Sequence, residues 1–250
     1  MNDNTHRRAI AITGAGGSLG AAIATRLAAE PDTDLVLSDL GAGAIEATVA
    51  AIGETDARIR TITADVTDEA QVAAVVNAAT QEFGRLDVLV SNAGVLAPNG
   101  RIHNLSAADW ERTFAVNVMG AVNGIKAAVG VMRTQRSGSI VLTASVSGLT
   151  AWSHAAPYCA TKAAVIQLAK VAAVEYARDG IRVNCVCPGS FRSAIHDDLP
   201  EEAMDSIGSR HPLGLGSADD IAGAYAYLAG PESAWTTGSA LVVDGGYSAP

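Results

Sequence analysis

Aromatic side chains make up only 4% of the 250 residues, although 49% of the chain is hydrophobic. Ala, Val, Ile, Leu and Gly must therefore fill the core, as Ala-rich helices packed on Val/Ile-rich strands would. Basic residues are also few: Lys and Arg number 17 against 26 Asp and Glu, for a formal net charge of −9. That balance argues against nucleic acid or an anionic membrane as partner. No run approaches the roughly 18 apolar residues of a membrane helix. The opening "MNDNTHRRAIAITG" lacks the apolar stretch of a signal peptide, so the expected location is cytoplasmic. Three cysteines provide no disulfide framework, and Cys185 and Cys187 alternate along an apparent strand as buried thiols. No His/Cys/Asp cluster has metal-ligand spacing, so no metal is expected. Nor does a linker divide the chain, whose length suits one large domain spanning 1–250.

What is present alternates. Short β-branched runs at 8–13, 34–38, 58–63, 87–91, 139–143, 181–186 and 240–244 read as strands. Ala-rich stretches with apolar spacing near 3.6 lie between them, at 18–29, 43–52, 68–83, 106–133, 158–178 and 217–229. Asp68, Ser106 and Ser217 stand where helix N-caps belong. Strands buried on both faces and separated by helices imply an α/β domain, doubly wound, with about seven parallel strands and helices on both faces. Pro, Gly and scattered charge break the pattern at 190–212, where a mobile substrate loop is expected.

The first strand runs into "TGAGGSLG" (13–20) and then into a helix. Glycines let a backbone turn sharply beside a pyrophosphate, and a helix N-terminus offers free amides to it. Gly14, Gly16, Gly17, Ser18, Leu19 and Gly20 are therefore candidate cofactor contacts, with Ser18 in position to cap the helix. Asp39 ends the second strand about where a ribose-binding acid belongs, followed by Leu40. A carboxylate there accepts from both adenosine ribose hydroxyls and repels a 2′-phosphate. No Arg or Lys lies in 14–25 or 38–45 to offset that repulsion, which favours NAD over NADP.

From Ser137 to Thr161 there is no charged residue, and then Lys162 follows Tyr158 by one helical turn. Pro157 suits an early helix position. A phenol with pKa about 10 is protonated at neutral pH. The expectation is that a neighbouring lysine, joined by an oxidised nicotinamide, lowers it toward working pH and makes Tyr158 a general base. Ser145 can share the substrate oxygen, and Asn117 can anchor a water leading to Lys162.

In order and spacing these pieces resemble the short-chain dehydrogenase/reductase family over nearly the whole chain. They are T-G-x-x-x-x-x-G (13–20), "ADV" (64–66), "NAG" (92–94), Asn117, "SVSG" (145–148), Tyr158-x-x-x-Lys162, "RVN" (182–184) and "PG" (188–189). The resemblance implies a Rossmann fold and a catalytic tetrad of Asn117, Ser145, Tyr158 and Lys162. It also implies that Lys162 binds the nicotinamide ribose, that Asp65 and Val66 lie against adenine, and that Asn92, Ala93 and Gly94 support the cofactor. The segment from Pro188 through Gly189 and Phe191 to Ser193 would hold the carboxamide. Two positions depart from the family pattern: Ser18 replaces a glycine, and Ser193 replaces a threonine while keeping its hydroxyl. Homotetramers or dimers built on the helices at 106–133 and 158–178 are implied as well.

The leading expectation is an NAD-dependent enzyme interconverting a secondary alcohol and a ketone, acting on a small neutral molecule. Two alternatives stay open at this point, a 3-oxoacyl-carrier-protein reductase using NADPH and a non-catalytic nucleotide-binding regulator. Ser147, Leu96, Trp152, His154, His196 and Met204 are candidate pocket residues through their nearness to the motifs.

Overall fold

The structure, a computed structural model, describes residues 7–193 and 201–249. Seven strands form one parallel sheet: β1 (Arg8–Thr13), β2 (Thr33–Asp39), β3 (Ile59–Thr63), β4 (Val88–Ser91), β5 (Gly138–Thr143), β6 (Ile181–Pro188) and β7 (Ala240–Val243). Their spatial order is β3-β2-β1-β4-β5-β6-β7. The winding direction reverses between β1 and β4, which opens a crevice at the carboxyl ends of those strands. In β1 the five residues from Ala9 to Thr13 are buried, as a central strand covered on both faces requires.

Side-chain alternation splits the apolar residues of the sheet between two cores. Ala11, Leu89, Ile140, Leu142 and Val183 face α3 (Glu69–Phe83), α5 (Gly120–Gln135) and α6 (Ala156–Tyr176). Ile10, Ile12, Leu35, Val90 and Val141 face α1 (Ser18–Ala28), α2 (Ala42–Ile52) and α8 (Ala218–Ala229). Cys185 and Cys187, two residues apart on β6, both point into the first core as fully buried free thiols.

The expected caps form. The Asp68 carboxylate accepts from the N–H groups of Ala70 and Gln71. Ser106 and Ser217 each open a reciprocal capping box, with Asp109 and Asp220. Ser18 does not cap α1: Gly17 is the N-cap, with no side-chain bond, and Ser18 is already the first helical residue.

The stretch read as one helix over 106–133 is three pieces. A regular helix α4 (Ala107–Phe114) passes through one wide π turn (Ala115–Met119) into α5. By length and composition alone, Ala107–Gln135 is apolar enough to cross a membrane, contrary to the sequence reading. Nearly half of its most apolar window is buried inside the protein, where α5 packs into the first core.

Of the segment 190–212, residues 194–200 lie outside the described residues. Phe191 bridges to Gly216, and Glu201–Gly208 form a helix, α7.

Candidate active site

A cavity of about 770 Å³ lies at the carboxyl ends of the strands, and both groups of motifs reach it. At one end is the glycine turn. Gly14 adopts φ +66°, a conformation open to glycine at little cost. Gly20 packs so closely that a Cβ there would sit 2.0 Å from the Gly14 carbonyl oxygen. This contact brings the first turn of α1 down onto the loop, with Gly17, Ser18 and Leu19 along the cavity wall.

Asp39 bounds the same end. Its Oδ2 accepts from the Gly16 N–H at 2.9 Å and its Oδ1 from the Gly41 N–H at 3.3 Å. Gly16 lies under Asp39 with its amide engaged, and a Cβ at Gly16 would meet Ala44 Cβ at 2.5 Å. Leu40, Asp65 and Val66 complete this end.

A polar chain joins the glycine turn to the chemistry end. Tyr225 Oη donates to Thr143 Oγ1 at 2.7 Å, and Thr143 Oγ1 donates to Asn92 Oδ1 at 3.1 Å. Asn92 Nδ2 in turn donates to the Gly14 carbonyl at 3.0 Å. Thr13 Oγ1 accepts from the amides of Asn92 and Ala93, at 3.1 and 3.3 Å. The ends of β1, β4 and β5 are thereby tied together. Tyr225 is fully buried, and burial pushes its phenol well above the usual range, so it stays a donor. Nothing in its helix pattern distinguishes Tyr225 from an ordinary core residue, and the sequence reading missed it.

At the chemistry end, Lys162 is 3% exposed and donates to the Thr143 carbonyl at 2.8 Å. Its ammonium stands 5.6 Å from the centre of the Tyr158 ring. Burial pulls the Lys162 pKa down to about 8, so the group remains mostly charged at neutral pH. Burial pushes the Tyr158 pKa up to about 12, and Ser145 beside it only partly opposes the rise. Lys162 does not reverse it, because the ammonium is aimed at a backbone carbonyl and is itself desolvated. Ser145 Oγ accepts from the Ser147 N–H at 3.1 Å, which leaves its own proton for Tyr158.

Asn117 sits in the π turn and is 3% exposed. It does not line the cavity; it fastens the wall. Its Oδ1 accepts from the Val95 N–H at 2.8 Å, and its Nδ2 donates to the Val95 carbonyl at 2.9 Å and to Thr161 Oγ1 at 3.1 Å. Gly94 separates Asn117 from Lys162: a Cβ there would come within 3.2 Å of Asn117 Oδ1 and 3.4 Å of Lys162 Nζ.

Pro188, Gly189, Phe191 and Ser193 also line the cavity, as do Asn92, Ala93 and Gly94. Of the candidate pocket residues, Leu96 and Trp152 line it, whereas Ser147, His154 and Met204 do not. His154 is exposed, and its ring is engaged by Ser153 Oγ at 2.8 Å. His196 lies outside the described residues. Arg112, one helical turn before Val116, lines the cavity and was not anticipated. Among the described residues no group of three His, Cys, Asp or Glu is placed to hold a metal ion.

A sequence-family model described as enoyl-(acyl carrier protein) reductase matches residues 14–248. Cis-4-hydroxycyclohexanecarboxylate dehydrogenase from Sinomonas cyclohexanicum is 37% identical over 250 residues, covering 100% of both chains. Levodione reductase from Leifsonia aquatica is 36% identical over 257 residues, covering 97% of this chain and 94% of that one. A crystal structure of levodione reductase superposes with a TM-score of 0.93 at 36% identity, covering 97% of this chain and 98% of the other. Two further solved structures differ in cofactor. ElxO with NADP bound has a TM-score of 0.91 at 32% identity over 98% of this chain and 100% of its own. NAD+-bound xylitol dehydrogenase has a TM-score of 0.91 at 31% identity over 96% and 99%. Profile, relatives and fold agree along essentially the full length, and the chain belongs to the short-chain dehydrogenase/reductase family.

Proposed function

We propose that this oxidoreductase interconverts a secondary alcohol and a ketone with NAD(H), and that Tyr158 is its general acid/base. The observation that carries the reading is that Ser145, Tyr158 and the buried Lys162, whose ammonium stands 5.6 Å from the tyrosine ring, share one cavity with the glycine turn and Asp39.

The residues present fit a nicotinamide dinucleotide. The N-terminal turn of α1 borders the cavity beside Gly14 and Gly17, a setting suited to a pyrophosphate. Asp39 would hold the adenosine ribose, with Asp65 and Val66 beside the adenine. Lys162 would hold the nicotinamide ribose, and the Pro188–Ser193 segment the carboxamide. When bound, the nicotinamide supplies the hydride acceptor or donor, and in its oxidised form a positive charge. The rest is done by the chain. In ketone reduction Tyr158, protonated below its raised pKa of about 12, gives its proton to the developing alkoxide while Ser145 steadies that oxygen. In alcohol oxidation the phenolate takes the hydroxyl proton as the hydride leaves the carbinol carbon. Lys162 stabilises that phenolate by its charge, and Asn117 holds the wall at Val95.

NAD is preferred over NADP in this reading because Asp39 bounds the adenosine end without an opposing cation in 38–45. The name of one relative contains a hydroxyl on a cyclohexane ring. A small to medium, largely neutral secondary alcohol or ketone of that kind is the proposed substrate. A second reading is a 3-oxoacyl-carrier-protein reductase using NADPH, which shares with the family model's description only an acyl-carrier-protein substrate and against which Asp39 argues. Exposed apolar residues on the helices around the site, among them Met119, Val171 and Val174, support assembly into homotetramers or dimers.

Initial rates over a panel of alcohols, diols and 3-oxoacyl thioesters, with NAD and NADP in parallel, test the proposal. Turnover of alcohols with NAD that Tyr158→Phe abolishes is the expected result. Wild-type rates in Tyr158→Phe would remove the tyrosine from the mechanism. Preference for NADPH and a thioester would favour the second reading.

A further inference from the structure

Four rings lie in sequence from the segment after α7 to the acid/base tyrosine. His211 stacks on Tyr247 with centroids 4.9 Å apart and planes 30° apart. Tyr247 meets Trp152 edge to face, at 6.3 Å and 84°. Trp152 then stacks on Tyr158 at 6.2 Å and 27°. Trp152 and Tyr158 line the cavity; Tyr247 and His211 do not and stand behind them.

Trp152 has no polar anchor for its ring. Its Nε1 is buried without a hydrogen-bond partner, so contacts with its ring neighbours must set its position. On the far side the support is rigid. His211 is 4% exposed, with Nε2 accepting from the Ser190 N–H at 3.1 Å and Nδ1 donating to the Ile207 carbonyl at 2.9 Å. Tyr247 lies in a tight turn closed by Asp244, whose carboxylate accepts from the N–H groups of Gly246 and Ser248 at 2.9 and 2.8 Å. A backbone bond from Leu213 to the Gly245 carbonyl, at 3.0 Å, fastens this turn to the segment that carries His211.

We infer that Tyr247, braced by His211 and the Asp244 turn, is a positioning residue that sets the Trp152 ring as the flat apolar wall beside Tyr158 and so selects ring-shaped secondary alcohols and ketones over open-chain ones. The inference rests on the reading of Tyr158 as the acid/base. A flat indole face covers a six-membered ring over more contact area than it does a short flexible chain, and the ring has less conformational freedom to lose. Leu96 and Val95 add further apolar surface to the same cavity. Tyr247 does not line the cavity itself and reaches the substrate wall through Trp152.

The test uses the full chain carrying Trp110→Phe and Trp235→Phe, which makes Trp152 the sole indole. Tyr247→Leu keeps apolar bulk but removes the ring; Tyr247→Phe keeps the ring. Acrylamide quenching of Trp152 should rise about twofold or more in Tyr247→Leu and stay at the parent value in Tyr247→Phe. In the Leu variant KM for cyclohexanol should rise about tenfold, while KM for 2-butanol, KM for NAD and kcat each move less than about twofold. The Phe variant should restore the cyclohexanol KM. Unchanged quenching, or KM values for the two alcohols that move together, would overturn the inference. If the parent oxidises neither alcohol with either cofactor, the catalytic reading has failed instead, and the quenching comparison alone decides whether Tyr247 sets Trp152.

Discussion

Asn117 satisfies both backbone polar groups of Val95, accepting its N–H at 2.8 Å and donating to its carbonyl at 2.9 Å. A side-chain amide that mimics a backbone pair in this way holds a loop to a helix without secondary structure. Asn117→Ala leaves these groups and Thr161 Oγ1 without that partner. The expected cost is about 2 kcal/mol, which for a chain of this size lowers Tm by roughly 4–8 °C. Turnover should fall more than about tenfold because the wall beside Lys162 loosens. Calorimetry and initial rates check both, and an unchanged Tm would show that Val95 is held by other contacts.

Lys162 gives a pH signature. Burial holds its pKa at about 8 against an ordinary 10.5. Between those values the unfolded chain binds the proton more strongly, so stability rises with pH there. Below about pH 8 the wild-type protein carries the full penalty of a buried cation. Lys162→Met carries none. The stability of Lys162→Met relative to wild type should therefore fall by roughly 2–3 kcal/mol between pH 7 and pH 10. Denaturant unfolding at the two pH values measures it; parallel curves would mean that the ammonium is better solvated than its surroundings imply.

Removing Asp39 should loosen both the turn and the choice of cofactor. Asp39→Ala frees the Gly16 amide and deletes the charge that opposes a 2′-phosphate. KM for NAD is expected to rise about tenfold and discrimination against NADP to shrink by a similar factor. Kinetics with both cofactors decide it, and unchanged selectivity would place the source of preference elsewhere.

Gly20→Ala should be among the most damaging single-methyl changes in the chain. The new carbon would sit 2.0 Å from a backbone oxygen, and no flexible side chain can move to relieve the clash. An expected loss at the upper end of about 1–3 kcal/mol should accompany much weaker dinucleotide binding. Titration of cofactor fluorescence and thermal melts test this together.

The sheet, six of its helices and the places of Tyr158, Lys162, Ser145 and Asp39 were legible because local patterns dictate them. The two-residue and 3.6-residue periods show through an Ala- and Val-rich chain, and strand ends mark the crevice. Ser18 misled because a serine at a helix start resembles a cap, whereas the preceding glycine takes that position. The aim of Lys162 was not legible, because a Lys at i+4 reveals nearness but not direction, and its ammonium points at the Thr143 carbonyl. Tyr225 and Tyr247 were invisible for a different reason. Their partners are remote in sequence, Thr143 and Trp152 respectively, and no periodicity encodes such a meeting.

The π turn at Ala115–Met119 places a constraint on length rather than on composition. A wide turn holds one residue more than regular α-helix needs, and that surplus presents Asn117 to Val95. Deleting a single residue there would let α4 and α5 fuse into one continuous helix. The flanking helices could keep their faces, but the surplus that presents Asn117 to Val95 would be gone. Exposed Met119 can change identity at little cost, yet it cannot be removed. In this segment the number of residues carries information that no single side chain holds.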